Sequence, residues 1–174
     1  MVLANYCNLF SNPADGSFSV VKTDGTTYTS NSGTGANQSR ITLTGAHIYG
    51  SRSRYANNLW VEIGHGDSAE SPSDYELAAP DYTNAYLTPI GGGLNAHPAS
   101  NGNRIFFDLY TIYANNTADD QIIKEVGVMA ALETNAAFTA EDCVLLTRKV
   151  LNTPVVIAPG ESYMFNYRLR IRDY

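Results

Sequence analysis

From Tyr163 to Arg172 the chain alternates between two kinds of position. Tyr163, Phe165, Tyr167, Leu169 and Ile171 fall on one face, and Met164, Asn166, Arg168, Arg170 and Arg172 on the other. A period of two sustained over this run, rich in aromatic and branched side chains, predicts a long strand with one buried face. The run PVVIA before it is short and apolar and closes at Pro159-Gly160, a turn dipeptide, which predicts a hairpin between the two runs. IIKEVGVMA and CVLLTRKV, earlier in the stretch 121–172, are two further strand-like runs. So many short strands in one stretch predict the heart of an antiparallel sandwich.

Upstream, the alternation recurs in shorter pieces. FSVVK (18–22) and TTYT flank Thr23-Asp24-Gly25, which predicts a hairpin. NSGTGANQS (31–39) is too polar and glycine-rich to pack and reads as a loop; ITLTGAHIYG resumes strand character, with Gly45 as a bulge or bend. SRSRYANN then leads into LWVEIG (59–64), which holds the single tryptophan. RIFFDLYTIYA (104–114) is apolar on both faces and is predicted to lie centrally in a sheet. Between those two runs, residues 65–98 carry Pro72, Pro80, Pro89, Pro98 and the triple glycine Gly91–Gly93. No period persists there, so the segment reads as a long irregular loop, with one helical turn at Tyr75–Ala79. A further turn is expected at Phe138–Asp142, capped by Thr139. Residues 1–15 read as an N-terminal arm. With no linker and no repeat, the expectation is one domain over 1–174. Its fold class is all-β, a single antiparallel β-sandwich of jelly-roll or Ig-like type with long irregular loops.

Composition narrows the function. Charged residues make up 16% of the chain and the net charge is −6, which argues against a nucleic-acid partner, since a phosphate backbone requires a basic footprint. No apolar run approaches a membrane span, so no membrane partner is expected. MVLANYCNLF lacks the basic start and long apolar core of a secretion signal, so the chain is expected to be made and used without secretion. Cys7 and Cys143 show no metal-ligand spacing, and two buried thiols are favoured over a disulfide.

Catalytic chemistry is sparse. Gly64-His65-Gly66-Asp67-Ser68 gathers histidine, carboxylate and hydroxyl, but neighbours in a strand or loop point apart and no nucleophile elbow precedes them. A hydrolase built on His65, Asp67 and Asp74 is therefore the weakest reading. His47, His65 and His97 are isolated, and Asp119-Asp120 and Asp67/Glu70/Asp74 lack a calcium-loop pattern. Gly33–Asn37 lacks the lysine of a phosphate loop. No catalytic residue, metal site or cofactor is expected.

Surface residues say more. Twelve tyrosines suit sandwich cores and subunit interfaces alike. Tyr110, Tyr113, Tyr163 and Tyr167 lie in strands and read as structural, while Tyr75, Tyr82 and Tyr86 are freer to meet a partner. With Leu77 they form one candidate interface, and Leu3, Tyr6 and Phe10 of the arm form another. Arg168, Arg170 and Arg172, same-face neighbours about 7 Å apart, would repel one another unless carboxylates of this or another subunit meet them. A carbohydrate-binding module, its tyrosine-bearing loops acting as a platform for a host-surface glycan, is the alternative reading.

Two stretches carry a family resemblance. Residues 60–66 and 71–77 (WVEIGHG and SPSDYEL) resemble the I-G-x-G, Pro-Ser and Leu stretch of tailed-bacteriophage structural proteins. Downstream, Ile123, Glu125, Gly127, Leu145, Leu146, Arg148, Pro154, Gly160 and Glu161 resemble the same proteins' I-x-E-x-G, L-L-x-R, proline-led strand and G-(D/E) before a final alternating strand. The resemblance covers residues 59–172. It implies a virion component of tail-fibre, baseplate, neck or head-surface type, made in the host bacterial cytoplasm and assembling with itself and other virion proteins. The final strand runs to within two residues of the end, so no fibrous shaft or receptor-binding tip is expected. Glu125, a carboxylate on an apolar strand, needs a partner, and Arg148 on the neighbouring run is the expected one.

Overall fold

The computed structural model describes residues 18–30, 59–98, 104–131 and 143–172, whose regular secondary structure is antiparallel strand apart from one helical turn. The predicted hairpin is present: β1 (Phe18–Val21) pairs with β2 (Thr27–Ser30). Its turn is tied by Asp24, whose carboxylate accepts from Thr26 N at 2.8 Å and Thr26 Oγ1 at 2.7 Å. One three-stranded sheet follows the order β3 (Leu59–Gly64), β6 (Gln121–Ala131), β7 (Cys143–Ile157). The other follows β4 (Leu87–Pro98), β5 (Arg104–Asn115), β8 (Ser162–Arg172). RIFFDLYTIYA is thus the middle strand of its sheet, as its two-faced hydrophobicity predicts. One apolar cluster joins the two sheets: Val61, Ile63, Val126, Val128 and Leu146 from the first meet Leu109, Tyr113 and Phe165 from the second, and Val20 of the hairpin joins them. The arrangement is sandwich-like and all-β.

Four sequence expectations are corrected. Residues 65–98 are not irregular throughout, because β4 pairs with β5 from Ile105 to Asn115. Two of the glycines there make room for neighbours: a Cβ on Gly93 would lie 2.7 Å from the Tyr110 ring and one on Gly92 2.9 Å from Tyr110 O. Pro89 sits beside the break in register at Pro89/Gly91, where no ladder amide is required. Tyr75–Ala79 is not helical; among the described residues the single helical turn, α1, is Asp81–Asn84. CVLLTRKV and PVVIA are not separate strands but one, β7. Finally, Pro159-Gly160 does turn the chain, but between sheets rather than within a hairpin, since β7 pairs with β6 and β8 with β5.

Asn115 holds that crossover. Its Nδ2 donates to Ile157 O and Asp119 O, each at 2.8 Å, and its Oδ1 accepts from Thr117 N and Oγ1. Its main chain bonds Glu161 O and Gly160 N, so one wholly buried amide fixes both the β5–β6 and the β7–β8 connections. The alternation of β8 holds in graded form. Phe165 is buried and Tyr167 half-buried, Met164, Asn166 and Arg168 are exposed, and Tyr163 at the strand start is exposed as well. The predicted loop at 31–39, the bend at Gly45, the turn at Phe138–Asp142, the arm at 1–15 and Cys7 lie outside the described residues. Cys143 is a buried thiol packed with Trp60, Met129 and Leu145.

Two breaks in register between β6 and β7 set which side chains face where. Val144 and Leu146 both point into the sandwich, and plain alternation would send Arg148 after them. Instead the ladder slips between Val128 and Met129, so Thr147 lies opposite Val128 and Arg148 opposite Gly127, on the outer face. Likewise Ile123 and Val126 both face inward, and the slip between Ile123 and Glu125 turns Glu125 outward. The slip leaves Thr147 Oγ1 buried in the apolar layer, the one such side-chain atom among the described residues with no hydrogen-bond partner. An unsatisfied buried hydroxyl costs stability. Thr147→Val is therefore expected to raise unfolding stability by about 1 kcal/mol, read from the denaturant midpoint; a loss of stability would show that the hydroxyl is in fact bonded.

Candidate functional site

The outer face of the β3–β6–β7 sheet concentrates charge where a sheet covered by a loop would ordinarily be apolar. Across the strands, Gly64 lies opposite Glu125, and Glu62, Gly127 and Arg148 form the next row. Glu125 is completely buried and Arg148 is 2% exposed, yet both sit beneath the segment 65–80, which has no helix or ladder of its own. Arg148 Nε donates to Glu125 Oε2 at 2.7 Å, the pairing expected from sequence. Its Nη1 reaches Asp74 Oδ2 at 2.8 Å and Ala69 O, and its Nη2 reaches Ser68 O and Oγ. All five guanidinium donors are thereby used. Burial pulls the Arg148 pKa down, but Asp74 and Glu125 outweigh it and hold the group above its usual value.

Glu125 is equally saturated. Oε1 accepts from Ala79 N at 2.9 Å and Gly66 N at 3.2 Å, and Oε2 from Ala78 N at 3.2 Å. The carboxylate therefore gathers both ends of the loop, which is also closed by the Gly64–Pro80 bridge and by His65 N donating to Ala79 O. Glycine is required at Gly66, where a Cβ would lie 2.6 Å from Ala78 Cβ and 2.7 Å from Glu125 Oε1. It is required again at Gly127, where a Cβ would meet Leu145 Cδ1 at 2.6 Å and Leu77 Cδ2 at 3.0 Å. Leu77 is thus the plug that closes the loop onto the sheet. Glu70 adds a last tie, accepting from Val150 N at 2.8 Å on β7.

Beside this clamp, His65 links three elements. Its Nδ1 lies 2.9 Å from Ile122 O of β6, its Nε2 lies 3.1 Å from Asp81 Oδ1 of α1, and the Tyr86 ring stands edge-on to it at 5.7 Å. Asp81, wholly buried, also accepts from Leu87 N, so it ties the start of β4. A carbonyl and a carboxylate are both acceptors, so only the doubly protonated ring donates to both. Asp81 raises the His65 pKa, burial opposes it, and the Ile122 carbonyl and the charge of Glu125 add to the rise. In its doubly protonated form the ring has no lone pair to offer a substrate.

The residues grouped as a candidate hydrolase do not converge. His65 meets Asp81, a partner not singled out in the sequence; Asp67 meets Lys124 at 2.9 Å on the surface; Asp74 meets Arg148. Among the described residues, no group of three or more His, Cys, Asp or Glu is placed to hold a metal ion, and no helix is long and apolar enough to cross a membrane. The candidate interface residues separate too. Leu77 is 1% exposed and belongs to the core, a correction that follows from its role under Gly127. Tyr75 and Tyr86 are exposed, though the Tyr75 ring lies close to Gly25 of the β1–β2 turn, and Tyr82 is half-buried. Arg168 finds its carboxylate within the chain, forking onto Asp108 at 2.6 and 2.8 Å. Leu3, Tyr6, Phe10 and the side chains of Arg170 and Arg172 lie outside the described residues. No family model, curated protein or solved structure matches the chain.

Two expectations follow from this geometry. Removing one partner of a buried pair strands the other charge, so Arg148→Met should lower stability by about 3–5 kcal/mol and open residues 65–80 to limited proteolysis. In a double-mutant cycle with Glu125→Gln the two changes should couple strongly, and simple additivity would show that the pair is not the tie. His65 supplies the second. Its folded pKa is raised, so its contribution is full below about pH 6.5 and is lost as pH rises through the raised value. The melting-temperature difference between wild type and His65→Gln should shrink between mildly acidic and alkaline pH. A difference constant across that range would show that the ring does not titrate against Asp81.

Proposed function

We propose that this chain is a non-enzymatic structural component of a tailed-bacteriophage virion, of tail, neck, baseplate or head-surface type, that assembles with itself and with other virion proteins. One observation carries the reading. Gly64, Gly66, Asp74, Leu77, Glu125, Gly127, Leu145 and Arg148, which lie in the stretches that resemble such proteins, meet at one clamp. The clamp's donors and acceptors are used up in holding a loop, so the pattern specifies a rigid mount. A rigidly mounted loop on a closed sandwich suits a part whose product is a contact. The alternative, a glycan-binding module, rests on the exposed rings of Tyr75 and Tyr86. The test is composition: mass spectrometry of gradient-purified virions from the virus encoding the chain should find it at a fixed ratio to the major capsid protein. Abundance in infected cells with absence from purified particles would sink the reading, and a specific hit on a glycan array would favour the alternative.

A further inference from the structure

Each of the two three-stranded sheets has two edges, and an unguarded edge invites another strand. Three of the four are guarded, each in a different way. At β3, Thr111 Oγ1 accepts from Val61 N at 3.1 Å and Tyr113 OH donates to Val61 O at 2.9 Å, both reaching over from the opposite sheet. Farther along, Ile63 N is taken by the Glu62 carboxylate and His65 N by Ala79 O. At β7, Glu70 accepts from Val150 N, and Thr23 N donates to Cys143 O. At β4, Pro89, Pro98 and the break in register at Pro89/Gly91 spoil the edge for pairing.

Among the described residues, β8 has none of these devices. It contains no proline, its eleven pairs with β5 run without a break, and β5 is its sole strand neighbour among the described residues. Tyr163 and Met164, near its start, are 44% and 53% exposed. Charge is also unevenly placed along it. Glu161 precedes the strand, while Arg168, Arg170 and Arg172 fill its far half.

We propose that β8 pairs antiparallel with β8 of a second copy of this chain, about a two-fold axis near Phe165, so that two three-stranded sheets become one. This names the surface for the self-assembly proposed above and rests on that reading. An antiparallel pairing centred there sets Tyr163 opposite the partner's Tyr167 and Ser162 opposite the partner's Arg168. The acidic start of each strand then lies beside the basic end of the other. Each Arg168 stands six residues from its own copy, about 20 Å at roughly 3.3 Å per residue, well beyond a Debye length of about 8 Å. A parallel pairing would instead stack the arginines about 5 Å apart. The pairing uses backbone groups, so the Arg168–Asp108 fork stays as it is, and the contact is isologous and closed.

The test uses the full chain, with sedimentation and hydrogen exchange measured across a range of concentrations. A reversible monomer–dimer equilibrium is expected, with amide protection that rises with concentration in residues 163–167 and not in β3 or β7. Met164→Lys, a change at an exposed position, is expected to raise the dimer dissociation constant at least tenfold without altering the monomer's melting temperature. A dimer whose β8 exchange ignores concentration would overturn the edge pairing while leaving self-assembly intact. A monomer at every concentration would overturn it as well, and virion composition would then decide the wider reading independently.

Discussion

The buried ion pair between Glu125 and Arg148 is the constraint on which the described structure turns. Moving two charges out of water costs several kcal/mol for each, and their mutual attraction repays this only when every remaining donor and acceptor is also met. Here the remaining groups are met almost wholly by one segment: Gly66, Ser68, Ala69, Asp74, Ala78 and Ala79 supply the partners. That segment has no secondary structure of its own to hold it. Its order is borrowed from the pair, and the pair's burial depends on the segment. Neither exists without the other, which makes the outer face of this sheet a two-part lock.

The lock in turn depends on the two slips between β6 and β7. A strand pair in perfect register would carry Arg148 into the sandwich with Leu146 and place Glu125 on the face of Ile123. A single extra residue reverses the facing of everything beyond it. The slips are therefore the means by which one pair of strands serves an apolar interior and an ionic exterior. The orphaned hydroxyl of Thr147 is their local cost, since the residue beside the slip is turned into the apolar layer.

Some of this was legible in the sequence. A carboxylate and a guanidinium set in neighbouring apolar runs demanded each other, and the alternation through β8 marked its buried Phe165 and exposed Met164 correctly. The central position of β5 followed from hydrophobicity on both faces. Other features were hidden for physical reasons. β4 reads as loop because glycine and proline are judged by local propensity, whereas Gly93 is explained by Tyr110 on another strand. Pro159-Gly160 turns the chain whether the next strand joins the same sheet or the opposite one, and the choice is made by Asn115, far off in sequence. Asp81 lies sixteen residues from His65, and no spacing rule links a strand end to a one-turn helix. Leu77, an apolar residue among turn formers, looked like a surface anchor because its cover, the glycine at 127, is supplied by a distant strand.

Saturation is what separates this ionic cluster from a reactive one. A catalytic group must hold something in reserve: a lone pair, a proton to give, or a donor aimed at empty space. Arg148 has all five donors engaged, Glu125 accepts four hydrogen bonds, and His65 faces two acceptors at once. Chemistry at any of them would first have to dismantle the loop. The same logic runs along the strand edges, where β3 and β7 have backbone groups capped by side chains and loops. Where the described residues close their polar groups so thoroughly, a long, unbroken strand such as β8, uncapped among those residues, is the exception, and it is there that the proposed pairing with a second copy would find backbone to bind.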